Sequence, residues 1–216
     1  MKVKICGIME PGHAIWAAEA GAEFLGFILA PSRRRITAEK VREIADCLAA
    51  SGLRSRLGLV GVFVNASPAA VNATARLAGL DYVQLSGDES WDYCRQIERP
   101  IIKAIKLAPS ISYSDMVAGL KSEWAELGAN KLAVLVEPLV QGSYGGAGKQ
   151  LDWESLGELS EALPVLLAGG LTPTNVAHAC RLVRPWGVDV STGVETDGVK
   201  DEGKIKAFVA AARSRG

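Results

Sequence analysis

The sequence predicts a single-domain (β/α)8 barrel, a TIM barrel, occupying residues 1–216. Three observations carry this. Short apolar runs recur along the chain and number eight, as in a barrel of parallel strands buried on both faces. Amphipathic helical patterns separate them, which is the alternation of an α/β domain. Polar or glycine-rich motifs follow many different runs, whereas a doubly wound open sheet, the competing architecture, gathers its site at one switch point.

The predicted strands are residues 3–5, 24–29, 57–64, 82–85, 101–105, 131–136, 165–168 and 187–191. Between the first two, Pro11 to Ala20 places Ala14, Ala17 and Ala18 at helical spacing. Thr37 is the predicted cap of a helix through Ala50, with Val41, Ile44, Ala45 and Leu48 on one face. Ser67-Pro68 opens the next helix, with proline in the first turn. Ser86 is the predicted cap after strand four, with Glu89 three residues on as its capping-box partner. Thr172-Pro173-Thr174 is expected to open a helix over 175–183, and the last helix covers about 202–213. The glycine-rich stretch 142–148 is read as a loop after strand six, and Tyr144 to Lys149 as a flexible lid. It fails the P-loop pattern, because Ser143 stands at the first glycine position and Gln150 follows Lys149.

Bulk properties narrow the function. The chain is 49% apolar and 22% charged, with zero formal net charge and pI near 6.7. There is no overall basic field for nucleic acid or for an anionic membrane, and no apolar run of membrane-spanning length. The N-terminal stretch breaks at Gly7 and Pro11 and does not read as a secretory signal, so a cytoplasmic location is expected. Cys6, Cys47, Cys94 and Cys180 are widely spaced without a C-x-x-C pair, which argues for reduced thiols and against a zinc site. The two histidines, His13 and His178, both fall in helical segments. Acid–base chemistry then rests on cysteine, carboxylate or lysine.

In such a barrel the site lies at the C-terminal ends of the strands. Cys6 ends strand one, where it reads equally as a base or nucleophile and as a buried core thiol. Ser32-Arg33-Arg34-Arg35 follows strand two and offers anion recognition or a solvated surface run. Glu137 follows strand six; in an apolar mouth it would hold a raised pKa and donate a proton, while in a solvated loop it would be an ordinary carboxylate. Gly169-Gly170 after strand seven and Ser191-Thr192-Gly193 after strand eight form the strongest pair, since loops seven and eight build phosphate sites in these barrels. Asp189 near the end of strand eight suits sugar hydroxyls or backbone donors.

The ordered set of motifs resembles the phosphoribosylanthranilate isomerase family over nearly the whole length. It comprises residues 4–8 (KICGI), Gly26-Phe27, Pro31-Ser32-Arg33-Arg34, residues 61–65 (GVFVN) and Gln84-Leu85. It continues through Tyr144-Gly145-Gly146, Asp152-Trp153, residues 168–171 (AGGL) with Asn175-Val176, residues 188–191 (VDVS), Gly193-Val194-Glu195, Gly198 and Lys200-Asp201. The resemblance implies a cofactor-free barrel, without metal, acting on a small phosphorylated substrate as a monomer or homodimer. The implied reaction converts N-(5-phosphoribosyl)anthranilate to 1-(2-carboxyphenylamino)-1-deoxyribulose 5-phosphate, an Amadori rearrangement in tryptophan biosynthesis. The family's general base falls on Cys6 and its general acid on Glu137. The anthranilate-contacting arginine falls on Arg34, the sugar-contacting residue on Asp189, and the phosphate loops on Gly169, Gly170, Thr192 and Gly193.

Two positions depart from the family pattern. Glu137 stands where aspartate is usual, one methylene longer, and Ser86 stands where histidine is usual. Two alternatives follow: a barrel that binds phosphorylated ligands without catalysis, and an isomerase of another phosphoribosyl aminoaldose. Relatives of the second kind use paired aspartates, against which Cys6 and Glu137 speak.

Overall fold

A computed structural model describes residues 1–107, 113–138 and 156–214. The predicted lid and the Asp152-Trp153 motif lie outside the described residues. Eight strands close into one parallel barrel in sequence order. They are β1 (Lys2–Cys6), β2 (Phe24–Ile28), β3 (Gly58–Phe63), β4 (Tyr82–Leu85), β5 (Ile101–Leu107), β6 (Lys131–Pro138), β7 (Val165–Leu167) and β8 (Gly187–Val190). The helices are α1 (Pro11–Ala20), α2 (Ala38–Ala50), α3 (Pro68–Ala78), α4 (Trp91–Cys94), α5 (Tyr113–Glu126), α6 (Gly157–Ala162), α7 (Val176–Val183) and α8 (Glu202–Arg213). A short antiparallel pair, β9 (Glu195–Thr196) and β10 (Val199–Lys200), follows β8. Among the described residues no helix is long and apolar enough to cross a membrane.

Alternation along each strand sorts the side chains into two layers. Phe24, Val60, Ile102, Ala133, Leu135 and Leu166 form one buried cluster, and their strand neighbours join a second, larger cluster with the helices. Thr37 and Ser67 cap α2 and α3 as predicted, accepting from the Lys40 and Ala70 amides.

The structure corrects three local expectations. Ser86 caps nothing: Ser90 caps α4 by accepting from the Tyr93 amide, while Ser86 accepts from Gln84 Nε2 at 3.0 Å. Glu89 instead turns inward, where it accepts from the Gly87 and Asn65 amides and from Lys103. A buried carboxylate surrounded by three donors is better satisfied there than in a surface box. Pro173 precedes its helix rather than opening it, because Asn175 Oδ1 accepts from the Thr172 amide and holds that segment as a turn until Val176. Finally, β5 and β6 each run two residues further than predicted, because Lys106 and Glu137 pair across the two strands. Glu137 therefore stands within β6.

Candidate active site

Strand register assembles the site. Lys4 and Cys6 share the inward face of β1. Lys4 is the register partner of Asp189 on β8, and Cys6 of Gly26 on β2. Lys4 Nζ lies 2.8 Å from Asp189 Oδ1 and is fully buried. Gly26 leaves the space: a Cβ there would stand 2.7 Å from Cys6 Sγ and 2.9 Å from Lys4 Nζ. Gly26→Ala is therefore expected to displace the thiol. It should lower kcat more than it raises KM and cost ~1–3 kcal/mol from overpacking, read by steady-state kinetics alongside thermal melting.

Cys6, Arg34, Glu137 and Asp189 all line one cavity of about 440 Å³ at the C-terminal mouth. Its apolar wall comes from Ile28, Ala30, Pro31, Val62, Val64 and Leu135. A smaller cleft opens beside it, lined by Gly169, Gly170, Leu171 and Thr192, and Glu137, Asp189 and Ser191 face both spaces. Gly169 and Gly170 both have positive φ, a conformation that glycine adopts without Cβ strain. Asn175 ties this loop by donating to the Gly170 carbonyl. Gly193 is not among the residues lining the cleft. It sits behind it, where a Cβ would come within 1.9 Å of the Leu171 carbonyl oxygen, so glycine lets the loops after β7 and β8 pack together.

The ionisable groups are tuned by burial and neighbours. Burial, reinforced by Asp189 and partly offset by Lys106 and Lys4, raises the Glu137 pKa to about 7. Burial also pushes the Cys6 thiol above its ordinary value, with Asp189 adding to it while Lys4 and Lys200 oppose it. Three buried polar atoms around these spaces have no hydrogen-bond partner among the described residues: Gln84 Oε1, Glu137 Oε1 and Ser191 Oγ. Orphaned acceptors and donors of this kind suit a polar ligand. No cluster of metal-ligating side chains occurs among the described residues.

Arg34 is held by Glu195, with Nε 2.7 Å from Oε1 and Nη2 2.8 Å from Oε2. Arg33 and Lys200 meet the same carboxylate at 2.9 and 2.7 Å. Burial works against this carboxylate, yet the Arg34 and Lys200 hydrogen bonds prevail and hold its pKa below the usual range. Glu195 and Lys200 belong to the recognised motifs, but nothing local in the sequence shows that they converge on Arg34. Lys4 also belongs to a motif, and as a lysine two residues before Cys6 in an apolar run it must share that residue's face.

Fold and cavity together define the class: a (β/α)8 barrel with ionisable groups gathered at its C-terminal mouth, the architecture of an enzyme acting on a small anionic molecule. The family model described as N-(5'phosphoribosyl)anthranilate (PRA) isomerase matches residues 3–211. The chain belongs to this family. It is 46% identical to the N-(5'-phosphoribosyl)anthranilate isomerase of Roseiflexus sp. (strain RS-1), covering 99% of this chain and 98% of that one. The crystal structure of phosphoribosyl anthranilate isomerase from Thermotoga maritima superposes with a TM-score of 0.83 at 35% identity, covering 99% and 98% of the two chains. A phosphoribosyl anthranilate isomerase in complex with reduced 1-(o-carboxyphenylamino)-1-deoxyribulose 5-phosphate gives 0.80 at 33% identity, with 99% and 98% coverage.

Proposed function

We propose that this chain isomerises N-(5'-phosphoribosyl)anthranilate to 1-(2-carboxyphenylamino)-1-deoxyribulose 5-phosphate in tryptophan biosynthesis, with Glu137 as general acid and Cys6 as general base. The observation that carries this reading is the pair of joined spaces. An apolar, arginine-marked cavity meets a glycine-lined cleft, and Glu137 and Asp189 stand at the junction. A flat anionic ring suits the first space and a phosphate the second. The sugar between them then lies against the titratable groups.

Glu137 donates its proton to the furanose ring oxygen, opening the ring to an iminium ion at C1. The Cys6 thiolate then removes the C2 proton, giving an enolamine. This intermediate gains a proton at C1 and loses the one on its C2 oxygen, yielding the aminoketose. Two protons enter the sugar and two leave, so no redox partner is needed. A proton donor of pKa near 7 is protonated at neutral pH to a useful extent and still gives up its proton readily. Arg34 is assigned to the anthranilate carboxylate and Asp189 to the sugar hydroxyls. The cleft of Gly169, Gly170 and Thr192 is assigned to the phosphate, with Gly193 packing the two loops together behind it, and the phosphate's binding energy positions C2.

Mixing the purified protein with freshly made phosphoribosylanthranilate tests the activity. The expected result is a rapid loss of anthranilate-type fluorescence. A folded protein that binds a product analogue without this loss would instead be a ligand-binding barrel or act on another aminoaldose.

A further inference from the structure

Lys4 is not among the cavity-lining residues and is wholly inaccessible, so it cannot touch a substrate held there. Its placement is nonetheless costly. An ammonium at this depth gives up its hydration, and replacing a buried ion pair by apolar groups is often neutral or stabilising. Stability alone thus gives little reason for a lysine at this position, and its surroundings supply another. Its tip and the Cys6 sulfur converge on the bare face of Gly26, at 2.9 and 2.7 Å from the point where a Cβ would stand. Its other neighbour, Asp189, fixes the ammonium at 2.8 Å through paired strand positions.

We propose that Lys4 is the positioning residue of the catalytic base: its ammonium, anchored by Asp189, orients the Cys6 sulfur and stabilises the anion that forms there. The proposal rests on the reading of Cys6 as base and adds what makes a thiol usable in so dry a place. Burial opposes the charge on Lys4, but attraction to Asp189 and then to Cys6 outweighs it and raises its pKa, so the ammonium stays charged. The other charged groups facing the thiol leave this role to Lys4. Asp189 on β8 disfavours the thiolate, and Lys200 on β10 favours it less strongly than Lys4 does. Glu137 on β6 shares the cavity but is itself pushed towards its neutral form. Arg34, also at the cavity, has its Nε and one terminal nitrogen engaged by Glu195.

The test uses a readout independent of turnover. Alkylation of Cys6 by iodoacetamide, followed on the peptide that contains it, gives the pH midpoint of the thiol. Lys4→Met is expected to move that midpoint up by about one unit or more, to lower kcat by a comparable factor of ten, and to change product-analogue affinity by less than about threefold. An unchanged midpoint would overturn the role of Lys4 whether or not the protein isomerises phosphoribosylanthranilate. Should Lys4→Met fail to fold because Asp189 is orphaned, the Lys4→Met/Asp189→Asn double variant carries the test. Its midpoint is expected above the wild-type value and below any measured for Lys4→Met, and a midpoint equal to wild type would sink the proposal.

Discussion

Replacing Cys6 with serine is expected to lower kcat by on the order of a thousandfold while thermal stability and product-analogue binding stay near wild type. Serine preserves the shape of the side chain and can still sit against Gly26 and Lys4. Its hydroxyl, however, is far too weak an acid to be ionised near neutral pH, even beside an ammonium. The loss should fall on kcat, because the proton at C2 is removed only in the chemical step and the thiol adds little to ground-state affinity. Steady-state kinetics with a binding titration decide the matter. A Cys6→Ser enzyme with kcat within tenfold of wild type would remove Cys6 as the base.

Glu137→Gln is expected to cost ~10²–10⁴-fold in kcat, and to change the shape of the pH profile as well as its height. In the wild type the competent enzyme has Cys6 ionised and Glu137 protonated. Glu137 titrates at about 7 and the thiol above its ordinary value. This form is therefore a minority at every pH. Its population rises with pH up to about 7, stays level while thiol ionisation and carboxyl deprotonation compensate, and falls once the thiol has titrated. Glutamine cannot lose a proton, so the break near 7 should vanish. The residual rate should then climb about tenfold per pH unit until the thiol is ionised. Substrate phosphate ionises with a pKa near 6, but this affects both enzymes alike and cancels in the comparison. Profiles of kcat/KM for the two proteins measure this, and a break near 7 that survives in Glu137→Gln would assign it to another group.

The barrel was legible because strand count and spacing depend on local hydrophobicity. Runs such as Leu57–Val64 and Val165–Ala168 are short and continuously apolar, as strands buried on both faces are. Positions at strand ends were also legible, since Cys6, Glu137, Asp189 and the paired glycines lie at the mouth once the barrel is assumed. Partnerships between distant strands were not. Glu89 reads as a capping residue because Ser86 precedes it by three, whereas two of its three donors, Asn65 and Lys103, lie in neighbouring barrel units. The grip of Glu195 on Arg34 spans 161 residues and leaves no periodic trace. In sequence Gly193 suggests a phosphate-facing glycine, yet its visible constraint is the close approach of the Leu171 carbonyl. The order of family motifs located these residues without showing what each one touches.

The register of β1 against β8 has a consequence for how activity arises. Lys4 and Asp189 are 185 residues apart in sequence and become neighbours only when the first and last strands meet. Contacts of such separation carry a large loop-closure entropy and are favourable only once the intervening units are in place. The electrostatic setting of Cys6 is thus completed by the same event that closes the barrel. A chain still missing its last strand would hold Lys4 beside the cysteine without the carboxylate that anchors it, and recovery of turnover during refolding would time the meeting of the chain's two ends.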